Sequence, residues 1–200
     1  QPVSILLNAR TGLGKTTFGN FFIQACQGKE EVKYTEWIPT DANQDISDFL
    51  NNNPQIKIVF IDECHLLKDP EWLYAFLDRK ERTFVLATNE LGKLKSPLKN
   101  GRLLTLTFEE YSETDLMLMA YCSLDKEYKP MKKSYFQKIV KAAKNNPRRI
   151  VHSICKQFNT FGDIVTKGKG IQQTTQFNEI MAFIGYDENG YDAQERVYLK

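Results

Sequence analysis

The chain has 200 residues, 42% of them apolar and 12% aromatic, with a net charge of only +2. That is enough to bury a sizeable core in one domain, or in one domain with a small satellite. No run approaches the roughly 18 apolar residues of a membrane span, and the N-terminus lacks the charged-then-apolar layout of a signal peptide, so the expectation is a cytoplasmic protein without a membrane partner.

The first expected element is a strand over the apolar run Val3 to Leu7, which passes into Ala9-Arg10-Thr11-Gly12-Leu13-Gly14-Lys15-Thr16. A strand running into such a loop is the signature of phosphate binding. Gly12 and Gly14 let backbone N–H groups close on phosphate oxygens, Lys15 supplies a cation, and Thr16 supplies a hydroxyl for magnesium. The run from Gly12 to Thr17, Leu13 included, is therefore the candidate nucleotide contact. A helix over Thr16 to Gln27 carries Phe18, Phe21, Phe22 and Ala25 on one face, and its positive end points at the same phosphates. The loop pattern asks for glycine where this chain has Ala9.

A second strand, Ile56 to Ile61, ends in Asp62-Glu63. In a parallel sheet that carboxyl end is where ligands sit. The pattern is a Walker B motif: Asp62 is the candidate for the magnesium shell and Glu63 for polarising the attacking water. After a helix over about Pro70 to Leu77, a strand over Thr83 to Ala87 ends in Thr88-Asn89. If this strand lies between the other two, Asn89 stands beside the γ-phosphate and orients water. A fourth strand, Leu103 to Phe108, alternates apolar residues with threonines. Strands alternating with helices give a parallel α/β sheet, ending near residue 110.

Beyond it, Ser112-Glu113-Thr114-Asp115 reads as a capping box, and everything to Phe158 as helical. Phe136, Ile139, Val140 and Ala143 form one face of a second helix, and Asn146-Pro147 is an N-cap and N1 pair for a third carrying Ile150, Val151, Ile154 and Phe158. Between Lys126 and Arg149 nine basic residues stand against Glu127. Of these, Lys138, Lys141 and Lys144 lie opposite the apolar face, as a solvated surface or a contact for nucleic-acid phosphates. A polar stretch around Thr166 to Gln173 leads to a short final segment. Cys26, Cys64, Cys122 and Cys155 form no C-x-x-C pair, so reduced, mostly buried thiols are expected, and His65 and His152 are read as structural.

Taken in order, Gly12-Leu13-Gly14-Lys15-Thr16-Thr17, Phe60-Ile61-Asp62-Glu63-Cys64-His65, Ala87-Thr88-Asn89, Ser96-Pro97-Leu98 and Asn146-Pro147-Arg148 resemble the motifs of the AAA+ ATPases, and within them the RuvB family of Holliday-junction branch-migration motors. The resemblance extends to Ile184 through Asp192, which is similar to the segment opening that family's winged-helix DNA-binding domain. It implies a P-loop sheet domain over 1–110, an all-α lid over 111–170, and over 171–200 a linker and the start of a possible winged helix. It further implies ATP and magnesium as cofactors and a homo-oligomeric ring, a hexamer being one size. Asn89 matches sensor 1 and Arg148 sensor 2; Arg102 is the nearest match to the arginine finger that completes a neighbour's site, one residue out of the family's spacing. DNA is the implied partner, with a recombination or replication protein as a further one.

Two departures bear on partners. The family carries a long β-hairpin for RuvA between Walker B and sensor 1, whereas Leu66 to Arg82 has room only for a helix, which speaks against recruitment by a RuvA-like protein. The chain also stops at Lys200, where the winged helix begins, and an adenine-contacting segment is expected upstream of Gln1. The alternatives to a DNA motor are a clamp-loader or helicase-loader switch, and a nucleotide-binding module with reduced catalysis.

Overall fold

Strands form where β-branched, leucine and aromatic residues cluster: β1 (Ile5–Asn8), β2 (Lys33–Trp37), β3 (Ile56–Ile61), β4 (Thr83–Thr88) and β5 (Leu104–Thr107). These belong to a computed structural model that describes residues 2–27, 33–39, 46–99, 101–167, 169–171 and 173–198. Gln1 and Lys200, and Gly168 and Gln172 within the polar stretch, lie outside the described residues. The chain divides into two units, Gln1–Glu109 and Glu110–Lys200.

In the first unit all pairings are parallel and the strand order is β2-β3-β4-β1-β5. The α/β fold with a parallel sheet flanked by helices is thus observed. Alternate residues serve opposite faces, as a period of two requires. Leu6, Val59, Ile61, Phe84 and Leu86 pack with Leu50 of α2 (Ile46–Asn52) and with Leu73, Phe76 and Leu77 of α3 (Glu71–Arg79). Ile5, Leu7, Ile58, Phe60, Val85 and Ala87 pack on the other face with Ile23 of α1 (Lys15–Gln27). Gly19 permits that layer, since a Cβ there would lie 2.5 Å from the Phe60 ring. A single-turn α4 (Ser96–Lys99) precedes β5.

Neither β2 nor α2 was signalled by apolar periodicity. The edge strand β2 buries only Trp37, and the seven-residue α2 buries only Ile46 and Leu50. Arg82 is a second unsignalled feature. Its buried guanidinium donates to the carbonyls of Ile56 (2.9 Å), Leu50 (2.8 Å) and Asn53 (3.3 Å) and lies over the Phe76 ring, so one cation ties α2 to the start of β3.

The second unit is helical: α5 (Glu113–Ser123), α6 (Lys133–Ala142), a π-helical stretch (Arg149–Cys155) continuing as α7 (Lys156–Thr166), α8 (Thr174–Phe183) and α9 (Ala193–Tyr198). Ser112 caps α5, its Oγ accepting from the Asp115 N–H at 3.2 Å. Helix is not continuous to Phe158. Between α5 and α6 only a 3-10 turn forms over Lys126–Tyr128, and Lys144 and Asn145, both at φ 55°, break the chain before the π-helical stretch. The core centres on buried Tyr128, Phe158 and Phe177, with Tyr135 stacked on Phe177 at 4.5 Å.

Candidate nucleotide site

The phosphate loop begins where β1 ends. Ala9 N–H donates to Thr88 O at 3.2 Å, so the loop starts pinned to the end of the neighbouring strand β4. Gly12 (φ 88°) and Gly14 (φ 93°) occupy the left-handed region that side chains disfavour. Ala9 is not among the described non-glycine residues of positive φ, which is why alanine serves there without backbone strain. Lys15 opens α1 with its side chain buried, Nζ donating to Ala9 O at 2.8 Å and Arg10 O at 3.3 Å. Leu13 is buried and Thr17 exposed.

The acidic half comes from β3. Thr16 Oγ1 donates to Asp62 Oδ2 at 2.8 Å, closing the 46-residue gap between the two motifs. Asp62 is fixed twice more: its N–H donates to Trp37 O at 3.1 Å, and its Oδ1 accepts from the Glu63 N–H at 2.9 Å. Glu63 turns through φ 49°, ψ 42°, a left-handed conformation unusual for a glutamate.

The strand order places β4 between β3 and β1, the condition on which the reading of Asn89 depended. Asn89 Nδ2 donates to Thr11 Oγ1 at 3.1 Å, while its Oδ1 is buried without a hydrogen-bond partner. The same edge gathers His65, which was read as structural. Its Nδ1 lies 3.2 Å from Thr88 Oγ1 and 3.4 Å from Glu63 Oε2, and its Nε2 lies 3.7 Å from Glu90 Oε1. Its place two residues after Glu63 was visible; that the αL turn would fold it back was not.

Arg102 does not join this group. β5 runs parallel to β1, Ile5 opposite Leu104, so Arg102 stands at the opposite edge of the sheet from the phosphate loop. There it pairs with Asp78 (Nε to Oδ1 2.9 Å, Nη2 to Oδ2 3.3 Å) and lies over the Tyr74 ring. The guanidinium holds the Asp78 carboxyl below its usual range.

In the helical unit Asn146 Oδ1 accepts from the Arg149 N–H at 3.2 Å, an N-cap with Pro147 at N1. Arg148 is exposed, whereas Arg149 reaches Tyr186 Oη at 3.2 Å and Asp192 at 3.9 Å. The lysines read as a solvated surface or a contact for nucleic-acid phosphates have internal partners: Lys138 lies over Phe177, Lys141 over Tyr191, and Lys144 pairs with Glu195 at 2.7 Å. Acidic and aromatic groups from α8 and the C-terminal segment thus lie against that row. The thiols also differ from expectation, two buried (Cys64, Cys155) and two exposed (Cys26, Cys122). No helix among the described residues is long and apolar enough to cross a membrane.

The donor set suits magnesium held jointly with a nucleotide. One hydroxyl and one carboxylate are hard oxygen ligands, too few for a protein-only cage but apt for an ion that keeps waters and shares phosphate oxygens. Among the described residues no group of three or more His, Cys, Asp or Glu is gathered to hold a metal by itself.

A glycine-rich loop after β1, a carboxylate pair at the end of β3 and an amide just past β4, the strand between them, make up a P-loop module. No protein-family model matches the chain. In sequence the module is RuvB-like. It is 26% identical over 218 aligned residues to the Holliday junction branch migration complex subunit RuvB of Campylobacter jejuni, covering 98% of this chain and 64% of that protein. Against the subunit of Campylobacter lari the figures are 26%, 98% and 63%. The chain thus spans just under two thirds of these curated relatives. Among solved structures, the Thermotoga maritima RuvB Holliday junction branch migration motor superposes with a TM-score of 0.77 at 22% identity, covering 98% of this chain and 67% of that one. Domain III of the Thermotoga maritima replication initiation protein DnaA gives 0.64 at 14%, covering 90% and 84%.

Proposed function

We propose that this protein is an ATP-hydrolysing AAA+ motor of the RuvB type, acting on branched DNA as a homo-oligomeric ring. The observation that carries the reading is the 2.8 Å bond from Thr16 to Asp62, which joins the phosphate loop to the acidic strand end. Lys15 and the amides of Gly12 to Thr17 bind the phosphates at the α1 N-terminus, where the backbone dipoles favour anions. Thr16 and Asp62 would hold magnesium, which when bound would supply charge neutralisation to the phosphates. Glu63 accepts the proton of the attacking water, and the unpaired Oδ1 of Asn89 accepts a second hydrogen bond from it.

Arg102, on the far edge of the sheet, serves a neighbouring subunit's nucleotide, and hydrolysis therefore requires assembly. Arg148, left exposed while Arg149 is engaged, is the sensor-2 arginine of a lid. Between β3 and β4 the chain carries one 3-10 turn and α3, so a RuvA-like protein, if one docks, uses another surface. Glu63→Gln is expected to abolish DNA-stimulated phosphate release while keeping nucleotide binding. Robust turnover by monomeric Arg102→Ala would overturn the reading.

A further inference from the structure

We infer that His65 is a positioning residue for Glu63, coupling the water-activating carboxylate to the strand that leads into Asn89. The inference rests on the site reading above and adds to it. The imidazole is almost wholly enclosed, its side chain 6% exposed, while the Glu63 side chain is 35% exposed. The ring is therefore the fixed partner and the carboxylate the adjustable one. Glu63 also leaves β3 through a left-handed turn, a conformation that persists only where the surroundings impose it. That turn brings Oε2 to 3.4 Å from His65 Nδ1.

The hydrogen-bond inventory around the ring limits what it does. Thr88 Oγ1 already accepts from the Glu90 N–H at 3.0 Å, which leaves the hydroxyl one proton and one lone pair to share with Nδ1 at 3.2 Å. Nε2 faces Glu90, itself held by Lys93 at 2.6 Å. With the proton on Nδ1, the ring donates to Glu63 or Thr88. With the proton on Nε2, Nδ1 accepts from Thr88 and Glu63 is released. Because Thr88 O also accepts from the Ala9 N–H, a chain of contacts runs from the start of the phosphate loop through Thr88 and His65 to Glu63. A displacement at the loop or at Asn89 thereby reaches the carboxylate.

The test is steady-state phosphate release with magnesium-ATP by the full chain, with binding of a fluorescent ATP analogue measured in parallel. His65→Ala is expected to lower kcat about ten- to hundredfold, with KM and nucleotide affinity within about twofold of wild type. His65→Asn, whose amide nitrogen falls near Nδ1, should recover most of the rate, and His65→Gln, which reaches instead toward Nε2, should not. In the residual DNA-independent phosphate release of a Glu63→Gln background, His65→Ala should remove nothing more. An unchanged kcat in His65→Ala, equal rates for the Asn and Gln variants, or a full further loss on top of Glu63→Gln overturns the inference. If His65→Ala does not fold, the Asn and Gln pair decides. Undiminished hydrolysis by Glu63→Gln alone would instead strike the site reading itself.

Discussion

The sheet unit and the helical unit bury their apolar residues in opposite ways. The sheet splits its core into two layers, one on each face, so the strand ends stay free of the core and their polar residues converge along one edge. The helical unit gathers its large side chains into a single cluster around Tyr128, Phe158 and Phe177. Its charged groups are left on helix surfaces, where some are matched by neighbours from the same unit, as Lys144 is by Glu195 and Arg149 by Tyr186. Topology assembles a site in the first unit; in the second, packing leaves Arg148 exposed beside an engaged Arg149.

The largest expected effect tests the two edges of the sheet against each other. Arg102→Ala should leave nucleotide binding intact yet reduce assembled-state hydrolysis about a thousandfold or more, as loss of a trans-acting arginine does. Mixing it with a Lys15→Ala variant, whose own phosphate loop is disabled, should restore part of the activity, because each supplies what the other lacks. If mixing restores nothing while both variants still assemble, Arg102 is not serving a neighbour and its bond to Asp78 is only structural.

A smaller effect is expected in the helical unit. Arg148→Ala should slow hydrolysis about a hundredfold, the scale of one lost charge-stabilising donor, whereas Arg149→Ala should weaken the attachment of Tyr186 and Asp192 and leave the rate nearly unchanged. Hydrogen exchange in residues 186–196 reads the second outcome, and phosphate release the first. Reversal of the two would exchange their roles.

Much of the sheet unit was legible because its chemistry is local in sequence. The Gly12 to Thr17 loop, the Asp62-Glu63 pair and Asn89 each follow an apolar strand directly, and only the strand order had to be supplied by the fold. What stayed hidden depends on long-range contact. β2 has too little buried surface to show a period, since an edge strand faces water on one side. Arg82 reads as one more surface cation until its carbonyl partners, 26 to 32 residues away, are in place. His65 carried no spacing signal because its partners include Thr88 and Glu90, on the far side of α3 in sequence. Lys138, Lys141 and Lys144 were legible as a row, but their partners on α8 and beyond were not.

Stability offers a matched pair. Gly19 in the sheet unit and Gly162 in the helical unit each lie against an aromatic ring, with an added Cβ at 2.5 Å from Phe60 and 2.4 Å from the Tyr128 hydroxyl oxygen. Neither ring can withdraw easily, since Phe60 is fully buried and Tyr128 is both buried and bonded to Asp163 at 2.7 Å. Gly19→Val and Gly162→Val should each cost about 2 kcal/mol by overpacking. Hydrogen exchange should show the loss of protection in the unit that carries the substitution. Equal loss across both units would mean that they unfold together.

The smallest effect concerns a property the two units share. Each has one buried and one exposed thiol: Cys64 and Cys26 in the sheet unit, Cys155 and Cys122 in the helical unit. Burial pushes both Cys64 and Cys155 up to about 12, with the Asp62 and Glu63 carboxylates adding to the effect at Cys64. Because only the thiolate is nucleophilic, a group of that acidity at pH 8 is ionised in roughly one molecule in ten thousand. Alkylation of the folded protein by iodoacetamide, followed by intact-mass measurement, should therefore stop at two adducts, on Cys26 and Cys122, and reach four in denaturant. Fast labelling of Cys64 alone would show that the turn carrying Glu63 and His65 opens independently of the sheet, which the enclosed imidazole and the three bonds fixing Asp62 argue against.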